Sequence, residues 1–326
     1  MILLTGGAGC IGSNLHAALA RRGLEVVIVD RLRAEDKWRN LRHHPPAYIL
    51  PPADLADFLA RHPPIEMVFH LGAVTGTTSR DGDLLWETNV ALSQSLWEWC
   101  ALRGVRLIYA SSAATYGDGM AGFDDDPDPT ALARLRPLNL YGWSKHAFDL
   151  QVAHDCAGGA ARPPQWVGLK FFNVYGPNEY HKGPMISVVK LKFDELVKHG
   201  VMRLFRSGRP DIEDGAQRRD FIWVGDVVDV LIWLMDRPEV NGLYNLGTGG
   251  SATYLSLAEA VAAAAGREAQ IEFIDMPVAL AGQYQYHTEA PMRRLRAAGY
   301  AAPFLPLAEG VRRYVREYLN TDDPYR

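Results

Sequence analysis

The sequence predicts an α/β protein built on a doubly wound parallel sheet, to which a smaller, discontinuous α/β lobe is attached. Short apolar segments of strand length alternate with helix-length segments over residues 1–173, which is the order found in parallel sheets with helices on both faces. A glycine-rich turn directly follows the first apolar segment, and the later segments end in small or polar residues. Because ligands bind beyond the carboxyl ends of such strands, these residues mark the expected site.

The strands and helices of the sheet follow from the hydrophobic pattern. The predicted strands lie, in chain order, in MILLTGG, LEVVIVD, IEMVFHLGA, VRLIYASS, QWVGLKFFNVYG and LYNLGTG. The predicted helices between them include SNLHAALARRG, NVALSQSLWEWCALRG and LNLYGWSKHAFDLQVAHDC, and FIWVGDVVDVLIWLMD again has the order strand, then helix. We therefore assign residues 1–173 plus about 221–250 to the first lobe.

The alternation of strand and helix changes after NVYGP. Residues 174–220 are rich in loop-forming residues and contain one helical segment, ISVVKLKFDELVKHG. After GTGG, the chain continues with a helix in LSLAEAVAAAAG, a strand in AQIEFIDM and an amphipathic helix in LAEGVRRYVREYLN. About 174–220 plus 251–326 form the predicted second lobe.

The composition of the 326-residue chain excludes several classes of protein. Hydrophobic residues make up 48% and charged residues 22%, as in ordinary globular proteins. The net charge of -4 gives no electrostatic reason to expect nucleic acid or a membrane as partner. No apolar run reaches the roughly 18 residues that span a bilayer, and no cationic leader precedes one, so we expect a cytoplasmic protein. The three cysteines and the histidines stand at no metal-ligand spacing, so we expect no metal.

The glycine-rich turn contains Gly6, Gly9 and Gly12 in the pattern GxxGxxG. Glycine permits a tight turn and lets the backbone approach a pyrophosphate on the following helix N-terminus. Such a pattern alone is weak evidence. Here a predicted strand precedes it, a predicted helix follows it, and an acidic residue, Asp30, ends the second strand, which completes the dinucleotide-binding pattern. The first lobe is therefore predicted to bind a dinucleotide and the second to bind the substrate.

The residues around Asp30 bear on which dinucleotide is bound. An acidic residue here normally binds the adenosine ribose hydroxyls, which indicates NAD. Arg31, Arg33 and Lys37 crowd the same place and favour the 2′-phosphate of NADP. A solvated basic loop would explain the same three residues. The sequence therefore favours NADP and leaves NAD as the alternative.

Tyr141 and Lys145 stand four residues apart in YGWSK, on one face of the predicted helix. Alone, this spacing is typical of a half-buried tyrosine and an exposed lysine. The spacing becomes evidence for a site together with ASSAATYG, because Ser111 or Ser112 ends a parallel strand at the ligand-binding edge of the sheet. Serine can donate to a substrate oxygen while Tyr141 exchanges its proton, and Lys145 can hold the nicotinamide ribose and lower the pKa of the phenol. Together with the glycine turn, this predicts a hydride-transfer site.

Several motifs together resemble the extended short-chain dehydrogenase/reductase superfamily, which has a Rossmann fold: TGGAGCIGSN, LGA, SSAATYG, LYGWSK and FFNVYGP. Within it, nearly the whole chain resembles the nucleotide-sugar epimerases that act at C6 of ADP-glycero-manno-heptose. The narrower markers are PLNLYGWSK, NVYGPNEYHKGPMISV, RRDFIWVGDVVDV, NLGTG and GQYQYHT. The resemblance implies an isomerase that interconverts two C6 epimers of an ADP-sugar through a transient ketone, with tightly held NADP. We also expect a homo-oligomer.

The resemblance also implies roles for individual residues. Tyr141 would be one acid/base, Lys145 its ribose-binding partner, Ser112 the hydroxyl near the reacting carbon, and Lys182 the second acid/base. The implied cofactor-binding residues are Gly6, Gly9, Cys10, Ile11, Gly12, Asp30, Arg31, Lys37, Leu71, Gly72, Ala73, Val74, Thr75, Asn89, Tyr141, Lys145, Val174 and Lys182. The implied substrate-binding residues are Ser112, Asn173, Phe205, Arg206, Ser207, Gly208, Arg219 and Tyr284.

Inversion of a carbon explains why two bases are useful. Removal of a hydride and a proton leaves a planar ketone, and the hydride must return to the other face. One tyrosine is then misplaced for the second proton transfer, which Lys182 could perform if burial or nearby cations lowered its pKa. The alternative is that Lys182 grips the diphosphate. Arg219 is expected to clamp phosphate, because guanidinium binds phosphate bidentately.

Other functions stay open at this point. Pro184 stands where this group of epimerases usually has a serine near the substrate, and the loop over 207–219 is longer than usual, so another nucleotide-sugar epimerase, such as one acting at C4, is the nearest alternative. A dehydratase would need a carboxylate pair where Ser112-Ala-Ala stands. A non-catalytic dinucleotide-binding protein need not keep Ser112, Tyr141 and Lys145 together.

Overall fold

A computed structural model describes residues 1–33, 36–277 and 284–326. The strands are β1 (Ile2–Thr5), β2 (Val26–Val29), β3 (Tyr48–Leu50), β4 (Met67–His70), β5 (Arg106–Ser112), β6 (Trp166–Phe171), β7 (Asn173–Tyr175), β8 (Met202–Phe205), β9 (Arg218–Arg219), β10 (Phe221–Trp223), β11 (Gly242–Leu246), β12 (Ala252–Thr253) and β13 (Ile271–Ile274).

The α-helices are α1 (Cys10–Arg21), α2 (Leu55–Ala60), α3 (Gly82–Leu85), α4 (Leu92–Arg103), α5 (Pro129–Leu132), α6 (Leu140–Ala157), α7 (Val188–His199), α8 (Val224–Met235), α9 (Tyr254–Ala265), α10 (Arg293–Ala297) and α11 (Leu307–Tyr314). Short 3₁₀ segments span Asp36–Leu41, Pro52–Asp54, Ala113–Tyr116 and Tyr180–Met185. The segments Trp86–Ala91 and Val315–Leu319 have π-helical hydrogen bonding.

Seven strands form the large sheet, in the order β11-β6-β5-β4-β1-β2-β3, and all six pairings are parallel. The predicted doubly wound parallel sheet is therefore confirmed. The sequence pattern missed β3, because this edge strand has only three residues and its Tyr48 side chain is exposed. A short, exposed edge strand lacks the continuous apolar run that identifies a buried one.

The large sheet is buried on both faces, as parallel sheets are. Successive side chains point to opposite faces, so Leu4 and Ile28 lie in one core cluster while Leu3 and Val27 lie in another. This explains why β1 and β2 read as continuous apolar runs with no polar alternation. Because neighbouring strands are paired in parallel, their carboxyl ends lie at the same edge of the sheet.

Three two-stranded sheets lie outside the large sheet: β7 with β10, β9 with β12 and β8 with β13. β10 was assigned to the first lobe with residues 221–250, but it pairs with β7 and not with the large sheet. Helices α7, α9 and α11 pack around a third core cluster that includes Phe193, Leu257 and Tyr314. Residues 174–220 were predicted to be loop-rich, but the short strands β8 and β9 lie there. The single strand predicted in QWVGLKFFNVYG is divided into β6 and β7. The strands of the large sheet fall within 2–171 and 242–246, which is compatible with the proposed division into two lobes.

No helix among the described residues is long and apolar enough to cross a membrane.

The parallel register brings Thr5 opposite His70, and His70 opposite Tyr109. The turns after β1, β4 and β5 therefore meet at one edge of the sheet, where the glycine turn, the segment 71–75 and Ser112 lie.

Candidate active site

The glycine turn after β1 is built by close backbone contacts. A Cβ atom on Gly6, whose φ is +70°, would lie 2.7 Å from the Cα atom of Gly72. A Cβ atom on Gly12 would lie 2.1 Å from the carbonyl oxygen of Gly6. These positions need glycine because the chain itself fills the space. The turn thereby sets the free N–H groups at the start of α1 beside the ends of β1 and β4, as a pyrophosphate site requires.

Asp30 at the end of β2 is tied to the glycine turn. Its Oδ2 accepts a hydrogen bond from the Ala8 N–H at 2.9 Å, and its Oδ1 accepts one from Lys37 Nζ at 2.5 Å. Lys37 also donates to the Arg31 carbonyl at 3.0 Å. The side chains of Arg31 and Arg33 are exposed, and neither forms an ion pair with a described carboxylate. The structure thus brings the predicted acidic and basic residues to one place.

The segment from Leu71 to Thr75 follows β4, and Asn89 holds it. Asn89 is fully buried in the π-helical turn and accepts a hydrogen bond from Val74 N–H at 2.8 Å. Its Nδ2 donates to the Val74 carbonyl and to Ser144 Oγ, both at 3.0 Å. Because both N–H groups are used within the protein, this geometry gives Asn89 a positioning role for the segment. Its direct contact with a cofactor stays a prediction.

The two serines at the end of β5 have different surroundings. Ser111 is buried and donates to Asp149 Oδ2 at 2.6 Å. Ser112 is only partly buried, and its Oγ accepts a hydrogen bond from the Ala114 N–H at 3.1 Å at the start of the 3₁₀ turn. The structure therefore makes Ser112 the serine available to a ligand, as the resemblance implied.

Tyr141 and Lys145 lie on one face of α6, whose N-cap Asn139 accepts a hydrogen bond from the Gly142 N–H at 2.8 Å. Lys145 is 3% exposed, and its ammonium has no hydrogen-bond partner among the described residues. Burial lowers the pKa of Lys145 to about 8, although Asp149 opposes this shift. Polar partners stabilise a cation in buried surroundings, so the Lys145 ammonium is suited to a polar ligand.

The pKa of Tyr141 is raised, first because the phenol is buried. The Ser112 hydroxyl and the charge of Lys182 act in the opposite direction. The cation that lowers the pKa of this phenol is thus Lys182, and the predicted effect of Lys145 on the same group stays a prediction. Lys145 is a neighbour of Tyr141 on one helix, whereas Lys182 belongs to a turn 41 residues further along the chain.

Lys182 lies on the 3₁₀ segment after β7, with 27% of its side chain exposed and its Nζ 3.8 Å from Glu179 Oε2. Burial alone would lower its pKa, but Cys10, Glu179 and Tyr141 outweigh this, and the pKa is raised. The expectation of a lowered pKa is thus not met. Glu179 is fully buried and accepts hydrogen bonds from Ser187 N–H and Oγ at 2.8 and 2.6 Å, which fixes the turn that carries Lys182.

The residues proposed for the nucleotide-sugar lie in the second region. Arg219 in β9 is 6% exposed, and its guanidinium lies 5.0 Å from the ring centre of Tyr284 and 5.7 Å from that of Tyr254. In the described part of the chain it pairs with no carboxylate; one of its N–H groups donates to the Arg218 carbonyl at 2.8 Å. Asn173 is exposed at the start of β7. A buried, unpaired guanidinium is suited to a phosphate.

Residues 206–208, which follow β8, are held by contacts with two nearby loops. Ser207 N–H donates to Asp214 Oδ1 at 2.7 Å, and Arg206 Nη1 donates to Asp275 at 3.1 Å. Phe205 is half-buried and Gly208 is exposed. Arg206 is therefore engaged in surface ion pairs, unlike Arg219.

Three buried polar residues near the site were missed by the sequence argument: Asp149, Lys170 and Asn40. Asp149 could have been found, because it follows Lys145 by one more helical turn. Lys170 could also have been found, because it interrupts an apolar strand. Asn40 has no such signal; its Nδ2 donates to the carbonyls of Ala8 and Asn178 at 2.8 and 2.9 Å, across a long sequence separation.

The described residues contain no group of three or more histidine, cysteine, aspartate or glutamate side chains that could hold a metal ion. A parallel sheet with a glycine turn after its first strand, and serine, tyrosine and lysine side chains at the same edge, defines the extended short-chain dehydrogenase/reductase class. The chain belongs to the NAD dependent epimerase/dehydratase family, whose model matches residues 2–247.

Three named proteins are similar to the chain over nearly its whole length. The chain is 47% identical to an ADP-L-glycero-D-manno-heptose-6-epimerase from Nitratidesulfovibrio vulgaris (strain DP4), over 100% of both chains. The crystal structure of the Helicobacter pylori enzyme of the same name matches with a TM-score of 0.79 and 26% identity, covering 97% of this chain and 95% of that one. A UDP-glucose 4-epimerase from Thermus thermophilus in complex with NAD matches with a TM-score of 0.74 and 27% identity, covering 95% and 96%. The resemblance found in the sequence is confirmed.

Proposed function

We propose that this protein interconverts ADP-D-glycero-D-manno-heptose and ADP-L-glycero-D-manno-heptose by inverting C6. The observation that carries the proposal is that Ser112 and Lys182, from two different parts of the chain, both lower the pKa of the Tyr141 phenol, where the Gly142 backbone of α6 packs against the Ala114 carbonyl of the Ser112 turn. Two proton carriers beside one hydroxyl-bearing carbon are what inversion through a ketone requires. The full-length similarity to epimerases of that name supports this substrate over other nucleotide-sugars.

A nicotinamide dinucleotide fits the residues present. The glycine turn leaves no room for a Cβ atom at Gly6 or Gly12, and the buried Lys145 lacks a protein partner among the described residues. We propose that the N-terminus of α1 holds the pyrophosphate and Lys145 the nicotinamide ribose. The cofactor, when bound, supplies an acceptor for the hydride of C6 and returns it, so there is no net oxidation or reduction.

The protein residues handle the proton. Tyr141, in its phenolate form, accepts the proton of the C6 hydroxyl as the hydride leaves, and Ser112 donates a hydrogen bond to the same oxygen. After the ketone turns within the site, its oxygen receives a proton as the hydride returns to the opposite face. Lys182, whose pKa is raised, is protonated at neutral pH and holds the proton that this step needs, although it is a weaker acid than a lysine whose pKa lies near 7. Its charge favours the phenolate form of Tyr141, and return of the proton from the Tyr141 phenol to Lys182 restores both groups for the next turnover.

The decisive test of the proposed function is an assay without added cofactor. Purified protein is incubated with ADP-D-glycero-D-manno-heptose, and the C6 epimers are resolved by chromatography. We expect a mixture of both epimers, because the cofactor is regenerated in each turnover. Inversion at C4 of a UDP-sugar, with no change in the ADP-heptose, would contradict the proposal and support the alternative epimerase.

We propose NADP as the preferred dinucleotide. Lys37 neutralises Asp30 through a 2.5 Å ion pair, and Arg31 and Arg33 are exposed beside it, so the edge of the site is cationic. A 2′-phosphate would be favoured there, because arginine binds phosphate with paired, charge-assisted hydrogen bonds.

Nucleotide extracted from the denatured protein should accordingly be mainly NADP when identified by mass. The stripped protein should bind NADP more tightly than NAD, and Arg31→Ala/Arg33→Ala should reduce this difference. Arg61→Ala, at an exposed position of another segment, is the control. Recovery of NAD alone, with equal affinity for both nucleotides, would contradict the preference.

We expect Arg219→Lys to weaken substrate binding and to leave the chemical step nearly unchanged. A lysine keeps the charge but loses the paired donors. Hydrogen bonds to charged groups contribute about 1.5–3 kcal/mol, so the Kd of an ADP-sugar should rise about 10- to 100-fold. Calorimetry and steady-state kinetics measure the effect, and Arg203→Lys, in an exposed ion pair with Glu272, is the control. A fall in kcat at unchanged KM would contradict the phosphate-clamp role.

A further inference from the structure

A fully buried ion pair lies behind the candidate catalytic residues. Lys170 Nζ in β6 is 2.7 Å from Asp149 Oδ2 in α6, and both side chains are 0% exposed. Removing two charges from water is unfavourable, and such a pair is tolerated only if further hydrogen bonds satisfy it. Its position, with no contact to solvent, shows that it does not bind the substrate directly.

The hydrogen bonds around this pair lead to the catalytic elements. Asp149 accepts from Ser111 Oγ at 2.6 Å and from Tyr109 OH at 3.2 Å, both in β5. Lys170 Nζ donates to Thr115 Oγ1 at 2.7 Å, and Thr115 Oγ1 donates to the carbonyl of Ser112 at 2.8 Å. One connected network therefore joins α6, β5, β6 and the turn that begins at Ser112.

The spacing along α6 connects this network to the reacting groups. Tyr141, Lys145 and Asp149 are four residues apart in succession and share one helix face. At the start of the helix, a Cβ atom on Gly142 would lie 2.5 Å from the Ala114 carbonyl oxygen. Because α6 contacts the Ser112 turn there without a side chain between them, small movements of the helix change the distance between Tyr141 and Ser112.

We infer that Asp149, through its ion pair with Lys170, is a positioning residue that aligns Tyr141 and Lys145 on α6 with Ser112 on β5. This inference rests on the proposed hydride-transfer function of these three residues. The ion pair connects α6 to β6. Its hydrogen bonds connect it to Ser111 in β5 and, through Thr115, to the carbonyl of Ser112.

Asp149 also affects the charge of Lys145. The groups that face Lys145 are Asp149 and Tyr141 on its own helix and His70 on β4, and Lys170 of β6 lies behind Asp149. Burial holds the pKa of His70 at about 3, so this ring is neutral. Asp149 is thus the group that opposes the effect of burial on Lys145, and it keeps the ammonium protonated where it would donate to the ribose.

The affinity for the cofactor should depend on pH through the protonation of Lys145. The protonated form of Lys145 is present at low pH and is lost as the pH rises through about 8. Affinity for the cofactor should therefore fall as the pH rises through this value. Without Asp149 the pKa of Lys145 is lower, and the same loss should occur at a lower pH.

The test uses Asp149→Leu/Lys170→Met, which replaces both charges with apolar side chains, because removal of one partner alone would strand a buried charge. We expect a cooperative unfolding transition, a slower reduction of bound cofactor by about 10- to 100-fold, and a cofactor affinity that declines at lower pH than in the parent protein. The matched control is Lys192→Met/Glu195→Gln, a largely buried pair at 2.8 Å on α7, which should change neither readout.

A folded double variant with parental rate and parental pH dependence would overturn the inference. If the double variant does not fold, Ser111→Ala carries the test, because it removes one hydrogen bond to Asp149 and leaves the ion pair intact. A folded Ser111→Ala protein should reduce bound cofactor more slowly than the parent, by a smaller factor than the double variant, and should keep the parental pH dependence because the charge of Asp149 remains. A parental rate in this variant would likewise overturn the inference. Cofactor affinity, measured by NADPH fluorescence on stripped protein, needs no sugar, so its outcome is separate from that of the ADP-heptose assay.

Discussion

Replacement of Tyr141 by phenylalanine should lower the rate of epimerisation about 10²- to 10⁴-fold, the range of a lost general acid/base. The substitution removes the phenolic oxygen and little volume, so the protein should fold and hold its cofactor. The hydroxyl of Ser112 and the charge of Lys182 both act on this oxygen, and neither can take over its proton transfer during hydride removal. The measurement is the interconversion of the C6 epimers, together with the amount of nucleotide bound.

The control for this substitution is Tyr244→Phe. The Tyr244 hydroxyl donates to the Asn241 carbonyl at 2.7 Å, at the far edge of the sheet on β11. This variant loses a phenolic hydroxyl of similar kind and should stay within a few-fold of the parent rate. If Tyr141→Phe behaved like Tyr244→Phe, Tyr141 would have no place in the mechanism.

Lys182→Met should lower kcat about 10²-fold or more, with little change in the affinity for the ADP-sugar. The ammonium lies 3.8 Å from Glu179 and lowers the pKa of the Tyr141 phenol, which supports a role beside Tyr141. If Lys182 only gripped the diphosphate, the same change would raise KM and spare kcat at saturation. Lys198→Met, at an exposed position of α7, is the control.

The half-reactions separate the two proton carriers more sharply. The NADPH form of the protein is given a 6-keto analogue of the sugar, and the epimeric alcohols are resolved. The parent protein should form both alcohols, Lys182→Met should lose one of them, and Tyr141→Phe should lose the other. Equal loss of both alcohols in Lys182→Met would exclude the two-base mechanism and leave a single-base epimerase.

The raised pKa of Lys182 changes the expected role of this residue. A lysine with a lowered pKa would have served as a base at neutral pH, whereas the negative charge of Glu179 helps to keep it protonated. Lys182 is therefore a cation at neutral pH, and its charge lowers the pKa of the Tyr141 phenol; its role as the second acid stays a proposal. The direction of this pKa shift could not be predicted from the sequence. Burial lowers the pKa of a lysine and a nearby carboxylate raises it, and the folded geometry decides which effect is larger.

Local patterns were sufficient for much of the site. The strand, glycine turn and helix at the start of the chain predicted the dinucleotide site, since a turn of this kind depends on neighbouring residues alone. The spacing of Tyr141 and Lys145 predicted one helix face. The residue pattern alone left Ser111 and Ser112 open, and the resemblance implied Ser112. The structure supplies the physical reason, because Ser111 donates to Asp149, which lies 38 residues away in the chain.

The amino-acid sequence by itself determined the order of strands and helices, the glycine turn and the pairing of tyrosine with lysine, because these follow from periodicity and from contacts between near neighbours. Only the tertiary structure decided which charges act on which groups. Lys182 lies 41 positions from Tyr141 in the chain, yet its charge lowers the pKa of the phenol. Lys170 and Asp149 form a pair that no short pattern contains. Electrostatic effects depend on distance and burial in space, and folding alone sets both.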